Sequence, residues 1–177
     1  MKLLNVLSTS ENHQTVGLSR TRGRTSLSGE VSYDVITLSD AVREFPRYHF
    51  DMVVHMACCY GRNGEPLSEL IRANILSGLE IIESDLISQD GTFLNMETAL
   101  FPQVSHYAMS KKFFSGIAKA ADLPVKFVNA RTDLIYGGDE KSERLFSHVL
   151  ETLIGNNQPL KLSGGKQSRY FIHTEDV

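Results

Sequence analysis

The chain has 177 residues, of which 41% are hydrophobic and 22% charged, and its formal net charge is -3. This composition supports one globular domain with a substantial core, and a pI of 6.1 excludes the basic footprint of a nucleic-acid-binding protein. No apolar run approaches the roughly 18 residues that a membrane span requires. The only cysteines, Cys58 and Cys59, are adjacent and make no disulfide framework, which predicts a reducing, cytoplasmic location.

The first half of the chain alternates helical and extended patterns. Residues 3–7 read as the end of an amphipathic helix, and residues 14–18 as a short strand. A basic loop rich in glycine and serine is expected over 20–32, followed by a strand at 33–37 and a helix at 40–45 capped by Ser39. The nearly continuous apolar run 51–57 predicts a buried parallel strand.

The second half continues the same alternation. Helices are expected over 65–87, 107–121 and 143–154, and strands over 92–96 and 125–130, with short strands at 160–162 and 170–172. Strands separated by helices predict an α/β fold, a Rossmann-like parallel sheet with right-handed crossovers. We expect a single domain over 1–177, with 159–177 as the beginning of a substrate-binding region.

The most informative motif is the pentapeptide that runs from Tyr107 to Lys111. A tyrosine and a lysine four positions apart lie on one face of a helix, one turn from each other. An ammonium beside a phenol favours the phenolate, so this tyrosine is a candidate acid/base at a carbinol carbon. An exposed pair on an ordinary helix would show the same spacing. The histidines and cysteines show no metal-ligand spacing, so no metal site is predicted.

The order of several short motifs resembles the extended short-chain dehydrogenase/reductase family, the NAD(P)-dependent epimerases and dehydratases that modify nucleotide-linked sugars. Within it, the chain is most similar to reductases that make deoxyhexoses on a nucleotide carrier. The segments that carry the resemblance follow the family's order: Val16–Arg20, Val54–Ala57, Asn74 with Gly78, Tyr107–Lys111, Arg131 with Ile135–Asp139, and Arg169–Val177.

The resemblance implies roles for individual residues. Tyr107 and Lys111 would be catalytic, with Lys111 also holding the cofactor ribose. The cofactor-binding set would include Ser19, Arg20, His55, Ala57 and Asn74, and the substrate-binding set would include Glu97, Arg131 and Arg169. Ordinary alternatives exist for some of these, because Glu97 fits a solvated carboxylate equally well.

Two departures from the family pattern stand out. The family's G-x-x-G-x-x-G phosphate loop and the strand before it are absent, so we expect an incomplete sheet whose first strand is missing. The chain then reads as an internal piece of a longer enzyme, or as a short protein that re-pairs its sheet. The family's catalytic Ser or Thr falls on Met96, and Thr98, on the same face of an extended stretch, would replace it or be a plain loop residue.

Cofactor choice follows from the end of the second family strand. Arginines and no acid follow Leu18, which favours NADP(H) over NAD(H), unless this is only a solvated basic loop. The expected partners are a nucleotide-sugar substrate and a second copy of the chain or a partner that completes the sheet. The function is then an epimerase, dehydratase or reductase of a nucleotide-linked sugar. The alternative is a catalytically inactive fragment or pseudoenzyme with at most a binding role.

Overall fold

The computed structural model describes residues 15–18, 23–27, 31–36, 42, 49–137, 145–155, 159, 164–166 and 168–176, with backbone alone for 23–27 and 31–36. The chain divides into two compact units, residues 1–131 and residues 132–177. The predicted helices at 3–7 and 40–45 and the predicted strand at 160–162 lie outside the described residues, apart from a helical Val42. The prediction of a single domain, with a substrate-binding region opening at 159, stays a prediction.

The first sheet of the first unit has the strand order β1-β3-β2. Strand β1 (Val16–Leu18) runs parallel to β3 (Val31–Ile36), as predicted, while β2 (Gly23–Leu27) pairs antiparallel with β3. The expectation of a loop throughout 20–32 was therefore wrong. The glycine and serine content suggested a loop, but five residues of β2 pair in unbroken register with β3, and such pairing overrides weak local propensity.

The second sheet has the order β4-β5-β6, with β4 (Phe50–His55) parallel to β5 (Ile87–Thr98) and β6 (Lys126–Thr132) beside β5. Strand β4 is only half-buried. Val53 and His55 point inward, whereas Met52 is 56% exposed. The prediction of a fully buried strand was wrong because successive side chains point to opposite faces of the sheet, and it is the face with Val53 and His55 that packs against the core.

One interrupted helix precedes β5. Helix α1 (Leu67–Ile71) continues through a π-helical segment (Arg72–Leu76) into α2 (Ser77–Ile82). The predicted helix 65–87 thus ends five residues early, since Ile87 already belongs to β5, which is much longer than the predicted 92–96. Single-turn π segments frequently mark functional sites.

Helix α3 (His106–Ala120) forms almost where the sequence predicted it. Ser105 caps its first turn, accepting a hydrogen bond from the Ala108 N–H at 3.1 Å. The helix packs against the π segment and against β5. Parallel strands with flanking helices confirm the prediction of a Rossmann-like α/β fold, of which this is a partial version.

The core of the first unit is a cluster of apolar side chains from β4, the helix before β5, β5 itself, α3 and β6. Its aromatic part joins Phe93, Phe114 and Phe127, whose ring centroids lie 6.0 to 6.1 Å apart. The buried aliphatic members are Val53, Ile75, Ile81, Ile82 and Ile87. This cluster fixes α3 over the sheet, and so sets the position of Tyr107 and Lys111.

Two helical glycines predict opposite effects of the same substitution. A Cβ on Gly78 would lie 2.6 Å from Cζ of the buried Phe114, whereas a Cβ on Gly116 would meet nothing. Gly78→Ala should therefore lower the free energy of unfolding by about 1–3 kcal/mol through overpacking. Gly116→Ala should raise it by up to about 1 kcal/mol through helix propensity. Urea unfolding of both variants measures the two changes in the free energy of unfolding. Equal changes would contradict the packing of Gly78 against Phe114.

The described residues of the second unit form two paired strands and a helix. Strand β7 (Leu134–Tyr136) runs parallel to β8 (Phe171–His173), and α4 (Leu145–Gly155) contributes Phe146, whose ring contacts Tyr136 and Phe171. The sequence did not predict β7. Its three residues carry no periodicity, and only the pairing with β8 defines it as a strand.

Candidate functional site

Tyr107 and Lys111 lie on the inner part of helix α3. Tyr107 is half-buried in the first turn, and Lys111, one turn later, is only 1% exposed. Burial lowers the pKa of Lys111, while the nearby Cys58 and Glu97 act to raise it. The burial of Lys111 rules out the alternative that Tyr107 and Lys111 are an ordinary exposed pair on the helix surface.

Lys111 interacts electrostatically with residues at the carboxyl ends of two parallel strands, His55 in β4 and Glu97 in β5. Burial and the charge of Lys111 lower the pKa of His55, the last residue of β4, to about 4, against a raising effect of its hydrogen bond to Asn95. Glu97, which acts on Lys111, is the penultimate residue of β5. In open α/β sheets, ligands bind at this carboxyl edge. The lysine therefore lies where such a fold places its ligand site.

The environment of Tyr107 differs from the sequence expectation. Its ring stacks on Tyr60, with centroids 4.6 Å apart and planes inclined by 32°. Burial raises the pKa of the Tyr107 phenol, and Tyr60 and Cys58 raise it further, while Arg62 opposes them. The sequence predicted a lowered pKa, whereas burial of the phenol here outweighs the opposing charge of Arg62. The effect of Lys111 on Tyr107 stays a prediction.

Asn74 is a clamp between two chain segments. It is fully buried in the π segment, and its Oδ1 accepts from the Cys59 N–H at 2.7 Å. Its Nδ2 donates to the Cys59 carbonyl at 2.9 Å and to Ser110 Oγ at 2.8 Å. These bonds use both of its amide protons and an oxygen lone pair. Asn74 therefore fixes the loop after β4 against α3, on the residue next to Lys111.

Glu97 is the centre of a buried ionic network. Its side chain is 2% exposed, and its two oxygens bind Lys112, Asn129 and, at 3.2 Å, Arg131 Nε. Burial alone would raise the pKa of Glu97, but hydrogen bonds from Lys112, Asn129 and Ser115 outweigh it and lower the pKa to about 2. The carboxylate is thus permanently ionised near neutral pH and engaged with the protein.

A chain of amides connects Glu97 to His55. A carboxylate only accepts, so Asn129 must donate to Glu97 through Nδ2 and present Oδ1 to Asn95, whose Nδ2 lies 2.7 Å away. Asn95 then offers Oδ1 to His55 Nδ1 at 3.5 Å. This order places the proton of His55 on Nδ1. Its buried Nε2 has no hydrogen-bond partner among the described residues.

The other predicted site residues fall in three places. Ala57 lies exposed just beyond β4, and Thr98 is the buried last residue of β5, its Oγ1 accepting from the Leu100 N–H at 3.2 Å. Arg131, in β6, has a side chain that is 59% exposed and contacts the Glu97 carboxylate. Arg169 is exposed in the second unit, and Ser19 and Arg20 lie outside the described residues.

Sequence reasoning missed Tyr60, Asn95, Lys112 and Asn129. Lys112 directly follows the catalytic-type lysine, so a second charge on the adjacent helix face was a visible signal. Asn95 and Asn129 lie in the middle of predicted strands, where an amide is unusual and indicates a buried polar contact. Nothing in the sequence pairs Tyr60 with Tyr107.

Within the described part of the chain, no group of three or more histidine, cysteine or acidic side chains is placed to hold a metal ion. No helix there is long and apolar enough to cross a membrane.

The fold and site define a class of protein. A parallel sheet with flanking helices is the framework of Rossmann-like folds, which bind nucleotide cofactors at the carboxyl ends of their strands. Residues 3–177 match the NAD dependent epimerase/dehydratase family, and the chain belongs to that family. The family is NAD-dependent, and its membership confirms the resemblance read from the sequence motifs.

Two relatives carry the same description. A CDP-abequose synthase of Salmonella muenchen is 30% identical over 71% of this chain and 45% of its own length. A CDP-abequose synthase of Salmonella typhimurium is 23% identical over 71% of this chain and 44% of its own length. The chain thus spans less than half the length of these relatives. No solved structure matches it significantly.

Proposed function

We propose that this protein is an NADP(H)-dependent oxidoreductase that acts on a nucleotide-linked sugar, with Tyr107 as its acid/base. The observation that carries the proposal is the burial of Lys111 one turn from Tyr107. Lys111 also interacts electrostatically with His55 at the end of β4 and with Glu97 near the end of β5. Family membership supports the cofactor class. The names of the two Salmonella relatives support a CDP-linked deoxyhexose as the substrate class.

The residues that would hold a nicotinamide cofactor fit only in part. Ala57 is an exposed small residue just beyond β4. Lys111 would approach a ribose hydroxyl, as the family pattern implies. The side-chain amide of Asn74 is hydrogen-bonded to Cys59 and Ser110, so we propose that it supports the site without touching the cofactor. When bound, the cofactor would supply the hydride.

In the proposed reaction, the chain's own residues orient the sugar and move one proton. Tyr107 would give its hydroxyl proton to the sugar carbonyl oxygen as that carbon gains the hydride, or take it back in reverse. Thr98 Oγ1 accepts one hydrogen bond, which leaves its proton to orient the same oxygen. Arg131, held by Glu97, would bind the nucleotide diphosphate, and Arg169 is a second candidate for that contact. Glu97 would thus act on substrate through Arg131.

The preference for NADP(H) rests on the arginines after β1. A 2′-phosphate favours guanidinium groups, and no acid that would suit a free ribose follows Leu18 before Arg24. Fluorescence titration of the protein with NADPH and NADH tests both the class and the preference. Tighter binding of NADPH is expected, and Arg20→Ala should remove the difference. The absence of binding by either nucleotide would favour the alternative of a catalytically inactive protein.

We also propose that two copies of the chain associate through α1 and α3. These helices pack side by side, and their outer faces expose Leu67, Ile71, Met109 and Phe113. Such an apolar helix pair suits burial against a second copy. Sedimentation equilibrium tests this association. A cytoplasmic location is proposed from the two free thiols and the nucleotide-linked substrate.

A further inference from the structure

Tyr107 is covered by a short column of side chains from the loop that follows β4. Tyr60 stacks on Tyr107 at 4.6 Å, and the guanidinium carbon of Arg62 lies 5.0 Å from the centroid of the Tyr60 ring. Both contacts are modestly favourable at a partly exposed position. Tyr60 also shares a side-chain hydrogen bond with Tyr107, so the column covers the phenol through contacts of a kind that a ligand hydroxyl can replace.

The backbone around Tyr60 is fixed on one side and permissive on the other. On the N-terminal side, Asn74 holds both backbone polar groups of Cys59. On the C-terminal side, Gly61 and Gly64 adopt φ angles of 69° and 78°, which side chains other than glycine rarely accept. Tyr60 therefore lies between a backbone position that Asn74 holds and a turn whose φ angles favour glycine.

A cavity adjoins the Tyr60 side chain. It has a volume of about 680 Å³, within the roughly 300–1,000 Å³ range of small-molecule sites. Its lining includes Tyr60 itself and Gly61, the apolar side chains of Leu67, Leu70, Val104 and Met109, and the polar side chains of Glu65, Gln103, Ser105 and His106. Such a surface can receive a phenol ring, and Tyr60 is already 49% exposed.

We propose that Tyr60 is a movable cap on Tyr107, and that a substrate oxygen reaches the Tyr107 hydroxyl only when the Tyr60 ring turns into this cavity. The cap makes Tyr60 an access-controlling residue for the proposed reaction, on which this inference rests. A nucleotide-linked sugar that displaces Tyr60 would meet Tyr107 and, beside it, the guanidinium of Arg62.

The proposal predicts how Tyr107 titrates. The titratable groups that act on it are Tyr60, Cys58 and Arg62 in the loop. Lys111 lies one turn away on the same helix. Burial comes first among the causes that raise the pKa of Tyr107, followed by Tyr60. Removing the cap reduces both effects, and so should return the phenol toward its ordinary pKa near 10.

The first experiment is a pH titration by nuclear magnetic resonance of protein labelled at tyrosine Cζ. The chain has six tyrosines, and Tyr107→Phe identifies the resonance of Tyr107. In Tyr60→Ala, Tyr107 should ionise at least about one pH unit below the wild-type protein. Tyr60→Phe, which keeps the ring and loses the hydroxyl, should fall between them. Identical titration of Tyr107 in the wild type and in Tyr60→Ala would overturn the cap.

The second experiment leaves Tyr60 in place and fills the cavity. Leu67→Trp should lower kcat/KM for the nucleotide sugar, because Tyr60 can no longer turn away. Ile71→Trp is the matched control, since Ile71 lies one turn further along the same exposed helix and outside the cavity lining. Equal kcat/KM values for the two variants would overturn the movement into the cavity.

A failure of the proposed cap can be told apart from a failure of the proposed function. The titration needs neither cofactor nor substrate, and reports the cap whatever Tyr107 does chemically. A protein that shows the expected titration but keeps its turnover in Tyr107→Phe would retain the cap and lose Tyr107 as the acid/base.

Discussion

Replacing Tyr107 with phenylalanine is expected to lower kcat for the nucleotide sugar by about 10²–10⁴-fold, the usual contribution of general acid–base catalysis. The substitution removes one hydroxyl from a half-buried ring and leaves its stacking on Tyr60 in place. The dissociation constant of NADPH should therefore be nearly unchanged. Steady-state kinetics, together with a fluorescence titration of the cofactor, measure the two quantities on the same preparation.

Lysine variants provide the comparison that separates chemistry from binding. Lys111→Met removes a charge beside the proposed cofactor site, and should weaken NADPH binding as well as turnover. Lys119→Met makes the same change on the last turn of the same helix, at an exposed position, and should alter neither. A Tyr107→Phe variant that kept most of its turnover would show that another group carries the proton.

The parts of the fold that local signals define were predicted from the sequence. Helix α3 has an N-cap at Ser105 and buried positions at helical spacing, so its limits were found within a residue. Strand β2 and the ends of β5 depend on pairing with other strands, which a single sequence does not display. Local propensity decides little in such cases, because cross-strand contacts outweigh it.

The candidate site divides in the same way. Tyr107 and Lys111 were visible as a pair because a helix brings positions four apart together. Glu97 and Asn129 are 32 positions apart, and only the neighbouring strands β5 and β6 bring them into contact. The role expected for Glu97, direct substrate binding, followed from its place in a motif, whereas its burial and its partners come from the tertiary structure.

The ionic network predicts that Glu97→Gln will change the pH dependence of stability. The pKa of Glu97 falls from an ordinary value of 4.5 to about 2 in the folded chain. A carboxyl with a lowered folded pKa stabilises the protein fully above its unfolded pKa, and that stabilisation is lost as the pH falls toward the folded value. A shift of this size corresponds to about 3 kcal/mol, most of which should be lost between pH 6 and pH 3.

The variant should be less stable than the wild type at pH 6, and the difference should shrink strongly by pH 3. A glutamine has only one acceptor oxygen. If its nitrogen faces Lys112 and Arg131, both lose their acceptor; if its nitrogen faces Asn129, the amide chain to His55 must reverse. Urea unfolding across this pH range measures the difference. Glu80→Gln, an exposed position on α2, is the matched control and should show no such convergence. A constant difference in the free energy of unfolding between wild type and Glu97→Gln from pH 6 to pH 3 would mean that Glu97 titrates alike in the folded and unfolded chains. That result would contradict the hydrogen bonds described for its buried carboxylate.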